Sequence, residues 1–270
     1  MVVSASCPSY ATGIFTIEGN DAAGAGFAID KSLITTVSEM KSGRAAITIN
    51  GAEVSAPVSK AVLRRYAELG AKAGLLQIRH TTEVPTGYGL GMSAAGALSL
   101  SLALNELLGS GLAREECVKI AHDADAECGT GLSGVDAAAI GGVLFRKSLR
   151  DAPVRLPIDE KDIEVAFFTP IRTSDVIRSP EWKTKVNAAG KSALNALDGS
   201  RSWEMFLAAS RQFAVQSNLA AWCAPEMAKN PRASMAMLGH TLFSDMPLLL
   251  PRKPFMLLKA KTANDRAKLL

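Results

Sequence analysis

Short apolar runs broken by glycine and proline dominate the first part of the chain, and longer runs at helical spacing follow. Val2-Val3, Ile14-Phe15-Thr16-Ile17, Phe27-Ala28-Ile29-Asp30 and Leu33 to Val37 predict strands. Pro8 to Gly13 reads as a polar break and Asn20 to Gly26 as a turn rich in Gly and Ala. Ala46 to Ile49, ending on Asn50-Gly51, carries a hairpin signal. From Ser59 to Gly70 the positions Val62, Leu63, Tyr66 and Leu69 recur as on one helix face, and Leu75 to His80 then predicts a strand.

The next stretch, Pro85 to Gly109, reads PTGYGLGMSAAGALSLSLALNELLG. Gly87, Gly89 and Gly91 alternate with larger residues, Ser93-Ala94-Ala95 follows, and an apolar helix runs on until Gly109 can stop it. A second helix is predicted from Arg114 to about Cys128, with Glu115 and Glu116 favourably placed in its first turn. Gly129 to Asp136 is turn-rich, and Val143-Leu144-Phe145 reads as a strand. Charge and proline rise together from Arg150 to Asp162, which marks a boundary between a domain of residues 1–155 and one of residues 156–270. Ile163 to Phe168 predicts a strand, Trp182 to Leu197 and Trp203 to Leu219 predict helices, and the basic tail Lys259 to Leu270 reads as helical or frayed.

Composition narrows the function classes. The 270 residues include 30 basic and 26 acidic side chains, and the net charge of +4 is too slight and dispersed to argue for nucleic acid. Cys7, Cys117, Cys128 and Cys223 form no CxxC pair, so they read as small buried hydrophobes in a reducing cytosol. No basic segment precedes an apolar run at the N-terminus. The longest apolar run, around Leu98 to Leu108, is broken by Ser99, Ser101, Asn105 and Glu106 and is too short and polar to span a membrane. A soluble, cytoplasmic protein without a membrane partner is expected.

A glycine loop feeding a helix N-terminus offers unpaired N–H groups and the positive end of the helix dipole to a phosphate. A Walker loop is excluded because its lysine is absent. The dinucleotide fingerprint fails where Ala94 replaces the third glycine, and Glu106 lies within the helix instead of ending the next strand. A purely structural turn stays open beside the phosphate reading.

Pro85-x-Gly87-x-Gly89-Leu90-Gly91-x-Ser93-Ala94-Ala95 resembles the PxGxGLGSSAA phosphate loop of GHMP kinases. Ser9 to Phe15 is similar to that superfamily's N-terminal motif. Ala121-His122-Asp123-Ala124-Asp125 with Thr130-Gly131-Leu132 resembles the AHxAE…TGLGDV pattern of archaeal pantoate kinases, and Ala233 to Phe243 resembles their ASxAMLGNTVF motif. The resemblance implies a two-domain α+β fold, with an N-terminal domain like ribosomal protein S5 domain 2 and a ferredoxin-like C-terminal domain. It implies an ATP- and Mg²⁺-dependent kinase acting on the primary hydroxyl of pantoate or a similar small hydroxy acid, in a family whose members are often dimers. Mevalonate- or homoserine-type substrates are the alternatives within the superfamily. Gly134 and Met92 leave room for a non-catalytic relative that binds a nucleotide or metabolite for regulation.

Carried over residue by residue, the match places nucleotide binding on Pro85, Gly87, Gly89, Leu90, Gly91, Met92, Ser93, Ala94 and Ala95. Ser93 and Asp125 become the Mg²⁺ ligands, with Glu127 as a substitute should the helix end near it; the rival reading of Asp123, Asp125 and Glu127 is a solvated acidic helix end. The family's acceptor-side aspartate corresponds to Gly134 here, so the proton-accepting role passes to Asp136, in a Ser-Gly-Val-Asp order similar to that of mevalonate kinases, or to no residue. Tyr10, Thr12, Gly13, Gly239, His240 and Thr241 fall at substrate-side positions. Arg172, beside Thr173, is the leading cation for a substrate carboxylate, with Arg146 and Lys31 behind it. For His122 and His240 the default is a hydrogen-bonded structural histidine, and His80 is most simply a strand residue.

Overall fold

The computed structural model describes residues 1–19, 21–71, 74–131, 133–171 and 180–270. Two antiparallel strands, β1 (Val2–Glu18) and β2 (Asp21–Met40), form the long hairpin on which the rest is built. The predicted polar break at Pro8 to Gly13 is not found, because β1 runs straight through it. Register shifts at Pro8/Ser9 and Thr12/Ile14 absorb the proline and the glycine. Of the predicted turn from Asn20 to Gly26, Asp21 to Gly26 belongs to β2, and Asn20 lies outside the described residues. Gly24 and Gly26 are small because the bulged partner strand comes close: a Cβ at either would overlap a carbonyl oxygen, of Ile14 or of Ala11.

The hairpin is extended by β3 (Ala46–Ile49), β4 (Ala52–Glu53) and β5 (Leu75–Thr81) on one side, and by β6 (Val143–Arg146) and β7 (Val154–Arg155) beyond the other end of β2. Four helices accompany this sheet: α1 (Pro57–Glu68), α2 (Met92–Leu108), α3 (Arg114–Glu127) and α4 (Gly134–Ile140). Helix α2 packs on β1 and β2 and is flanked by α1, α3 and α4, so nearly every face of it is buried. That explains its run of small and apolar residues without a polar stripe. As expected, Gly109 ends it in the left-handed conformation, with φ 59°.

A second, four-stranded sheet has the order β11 (Met256–Lys261), β8 (Asp162–Thr169), β10 (His240–Ser244), β9 (Ala233–Ala236). Helices α5 (Pro180–Gly199) and α6 (Trp203–Gln216) pair with each other and cross β1, and α6 also covers β9. A 3₁₀ turn (Leu219–Cys223) and α7 (Ala224–Lys229) follow α6. The tail is not helical: β11 takes up its start, and β12 (Lys268–Leu269) pairs back onto β1. In β11, Met256, Leu258 and Ala260 turn inward while Leu257, Lys259 and Lys261 turn out, a period-two pattern that the basic composition hides. Phe27 of β2 meets Trp203, Phe206 and Phe243 edge-on, with ring centroids 5.0–5.8 Å apart, and so joins the two sheets. Among the described residues no helix is long and apolar enough to cross a membrane.

Candidate active site

The glycine loop lies where the two sheets meet. Gly87, Gly89 and Gly91 have φ of 85°, 82° and 67°, a region that side chains avoid. Residues from both halves of the fold hold the loop by its carbonyls. Gly87 O accepts from Ile171 N–H at 2.9 Å, Tyr88 O from the Thr241 hydroxyl at 2.7 Å, and Leu90 O from Tyr10 N–H at 3.1 Å. A Cβ on Gly239 would overlap the Tyr88 carbonyl, and one on Gly89 would stand 2.7 Å from Met237 O. With the carbonyls engaged by protein, the N–H groups from Gly89 to Ala94 are left without an acceptor among the described residues. They form a convergent set of donors at the start of α2.

These donors border a cavity of about 540 Å³, whose lining includes Tyr10, Thr12, Ser93, Asp125, Thr130 and Gly134. Asp125, on the last turn of α3, is 2% exposed. The Thr130 hydroxyl donates to its Oδ1 at 2.5 Å, and the Ser93 hydroxyl lies near the carboxyl in the same cavity wall. Burial pushes the Asp125 pKa up, while those hydroxyls pull it back. A Cβ on Gly131 would overlap the Asp125 carboxylate, so this glycine lets the 129–131 turn fold over it. Ser93 and Asp125 are therefore brought together.

Glu127 is not. Two residues further along α3, it points away and pairs with Arg64 and, at 3.1 Å, with Arg65 of α1. Asp123 pairs with Lys119 at 2.8 Å. Asp136 lies in the first turn of α4, outside the cavity lining that includes Ser133 and Gly134, and its Oδ2 is 3.1 Å from His122 Nδ1. That hydrogen bond raises the His122 pKa against the opposing effect of burial. A Cβ on Gly134 would stand 3.3 Å from that of Ala94, so α4 packs tightly on α2 where the family pattern has aspartate.

On the substrate side, Tyr10 and Thr12 line the cavity. Gly13 instead packs under α6, where a Cβ would meet Phe206 at 2.8 Å. Gly239 and Thr241 act on the loop as described above. His240 lies outside the lining and stacks on Trp222 with centroids 4.5 Å apart, while Met237 and Leu238 face the cavity. Leu238 holds φ 66°, a strained value for a leucine. Arg172 and Thr173 lie outside the described residues. Arg146 is engaged by Asp21 at 3.3 Å, and Lys31 by Glu83 at 3.5 Å. No lysine or arginine appears among the described lining residues.

Two parts of the site escape motif reading. The segment from Val54 to Ser59, which leads into and begins α1, lines the cavity together with Ile49 and Leu33. His80, buried at 3% exposure, also lines it, and Thr35 and Ser59 hold its two ring nitrogens. The alternation of β5 puts His80 on the same face as Leu76 and Ile78, which is the only signal the sequence offers.

Known proteins match this arrangement. Residues 57–142 match the model of the GHMP kinases N terminal domain. The pantoate kinase of Methanocaldococcus jannaschii is 31% identical over 250 residues, covering 87% of this chain and 90% of its own length. That of Methanospirillum hungatei is 29% identical over 265 residues, covering 90% and 86%. A solved phosphotransferase described as related to the CoA biosynthesis pathway superposes with a TM-score of 0.82 at 22% identity, over 100% of this chain and 98% of its own. The two-sheet α+β architecture is thus the GHMP kinase fold expected from the motifs. The chain belongs to the pantoate kinase family of GHMP kinases.

Proposed function

We propose that this protein transfers the γ-phosphoryl group of ATP to the primary hydroxyl of pantoate, giving 4-phosphopantoate for coenzyme A synthesis in the cytoplasm. One observation supports it above the others: the glycine loop has the carbonyls of Gly87, Tyr88 and Leu90 fixed to protein, while the N–H groups from Gly89 to Ala94 are without an acceptor among the described residues, beside a buried aspartate. The resemblance to pantoate kinases over most of both chains supports the choice of acceptor.

The N–H groups hold the triphosphate in place, which is most of what phosphoryl transfer asks of a protein. Ser93 and Asp125 are the residues to hold Mg²⁺. Among the described residues no cluster of three His, Cys, Asp or Glu forms a protein cage for a metal. A lone carboxylate with a hydroxyl beside it suits Mg²⁺, which completes its shell with waters and phosphate oxygens. Asp125 also fits because burial disfavours its charge, so a nearby cation relieves it. When bound, the metal neutralises charge on the phosphoryl oxygens.

Asp136 is assigned the acceptor-side base, with His122 holding its carboxylate at the edge of the site. Tyr10 and Thr12 face the acceptor, and a division near residue 155 separates the nucleotide-binding part from the rest. The Mg²⁺-dependent release of ADP from ATP tests the reading when pantoate, mevalonate and homoserine are compared as acceptors. Turnover on pantoate alone is expected, and ATP binding without turnover on any of them points to a regulatory relative.

A further inference from the structure

Four buried polar side chains join the start of α1 to the phosphate-binding helix, and counting their protons fixes the direction of every hydrogen bond. Ser99 Oγ lies 2.7 Å from the carbonyl of Ala95, one turn back on α2. A carbonyl can only accept, so the single hydroxyl proton of Ser99 goes there. Thr35 Oγ1, 2.6 Å from Ser99 Oγ, must then donate to it. Having spent its proton, Thr35 accepts from His80 Nδ1, 2.8 Å away. His80 is 3% exposed, with no carboxylate among its hydrogen-bond partners, and is therefore neutral. With its one proton on Nδ1, its Nε2 can only accept, and Ser59 Oγ donates to it over 3.1 Å.

Ser59 is the end of the chain that matters. Its hydroxyl proton is committed to His80, its other hydrogen-bonding capacity is acceptor only, and both residues line the cavity. The lining contributed beside them is apolar, with Leu33, Ile49, Val54, Pro57 and Val58 from the strands and from the segment that begins α1. Apolar walls with a polar group among them are what a nucleobase needs when its phosphates lie along the glycine loop. Resting on the ATP reading above, we propose that Ser59 selects adenine by accepting from the 6-amino group of the base, and that His80 is the positioning residue that keeps Ser59 from donating to a 6-oxo purine. A 6-oxo group would face a lone pair with no proton between them, whereas a 6-amino group completes the bond.

Calorimetric titration of the full chain with ATP and with ITP, both with Mg²⁺, probes the 6-position edge of the base, because the two differ only in the 6-substituent and in the proton that the 6-oxo form carries on N1. The wild type is expected to bind ATP about tenfold tighter than ITP, the value of one well-formed hydrogen bond. Ser59→Ala, which removes one oxygen and is not expected to disturb folding, should bring the two within about twofold. His80→Gln can donate an amide proton to Ser59 and free the serine proton for the base, so it should shift the preference toward ITP. Nitrogen-15 NMR of the wild type should find His80 protonated on Nδ1 at neutral pH. Equal binding of ATP and ITP, a preference that survives Ser59→Ala, or a proton on Nε2 overturns the assignment and leaves the kinase reading standing. Binding of neither nucleotide overturns both.

Discussion

The hydroxyl of Thr241, on the second sheet, donates to the carbonyl of Tyr88 in the glycine loop over 2.7 Å, and Thr241 is fully buried. This bond spans the seam between the sheets and turns the loop's carbonyl away from the cavity. Thr241→Val keeps the shape and removes the donor, leaving the Tyr88 carbonyl unpaired in a buried place. A loss of about 1–3 kcal/mol in unfolding free energy is expected, with a several-fold weaker affinity for ATP. Denaturant unfolding and nucleotide titration on the same variant check both.

Asp125 and Glu127 are two residues apart on one helix and should behave oppositely. Asp125→Asn keeps the size and an acceptor for Thr130 but removes the charge, so kcat should fall by about 10² or more at any Mg²⁺ concentration. Glu127→Gln breaks only solvent-facing pairs with Arg64 and Arg65, worth under about 1 kcal/mol, and turnover should stay within about twofold. Steady-state rates across a Mg²⁺ titration separate the two. A Glu127→Gln enzyme as impaired as Asp125→Asn would contradict the placement of the metal ligands.

Replacing Asp136 by Asn tests the acceptor side. As the base, it should lower kcat by about 10²-fold with the KM for ATP unchanged. Unaltered turnover leaves the site without a carboxylate base, relying on positioning and the metal.

His80 gives the protein an acid-sensitive buried group. Burial lowers its pKa from an ordinary 6.5 to about 4. The unfolded chain takes up a proton as the pH drops through 6.5 while the native chain does not. The stability held by the neutral imidazole is therefore whole above 6.5, drains as the pH falls, and stops draining near 4, where the native ring is protonated too. The loss is on the order of 3 kcal/mol. Unfolding measured at pH 7.5 and at pH 4.5 should show a steeper decline for the wild type than for His80→Gln; parallel slopes would contradict it.

The parts of the fold that were legible in the sequence are those set by local chemistry. Helix α2 follows from its glycine stops and apolar run, and α5 and α6 from their periodicity, because neighbours along the chain decide them. The stretch from Pro8 to Gly13 and the glycines at 24 and 26 read as breaks, yet β1 and β2 pair across both. The close approach of a bulged partner, invisible in one strand alone, is what requires those small residues. Within the site, Ser93 and Asp125 could be found because they sit in short motifs. His80 and Ser59 could not, since their meaning comes from contacts with Thr35 and Ser99 that only the folded chain makes. Glu127 was ambiguous for a similar reason: its direction depends on two arginines from α1.

The most direct test of the central claim is phosphorus-31 NMR of a mixture of the protein, ATP, Mg²⁺ and (R)-pantoate. The account predicts a phosphomonoester signal coupled to the C4 methylene protons of pantoate, growing as the γ-phosphate signal of ATP declines and absent without the acceptor. Consumption of ATP with mevalonate or homoserine while pantoate stays unmodified, or no transfer to any acceptor, would contradict it.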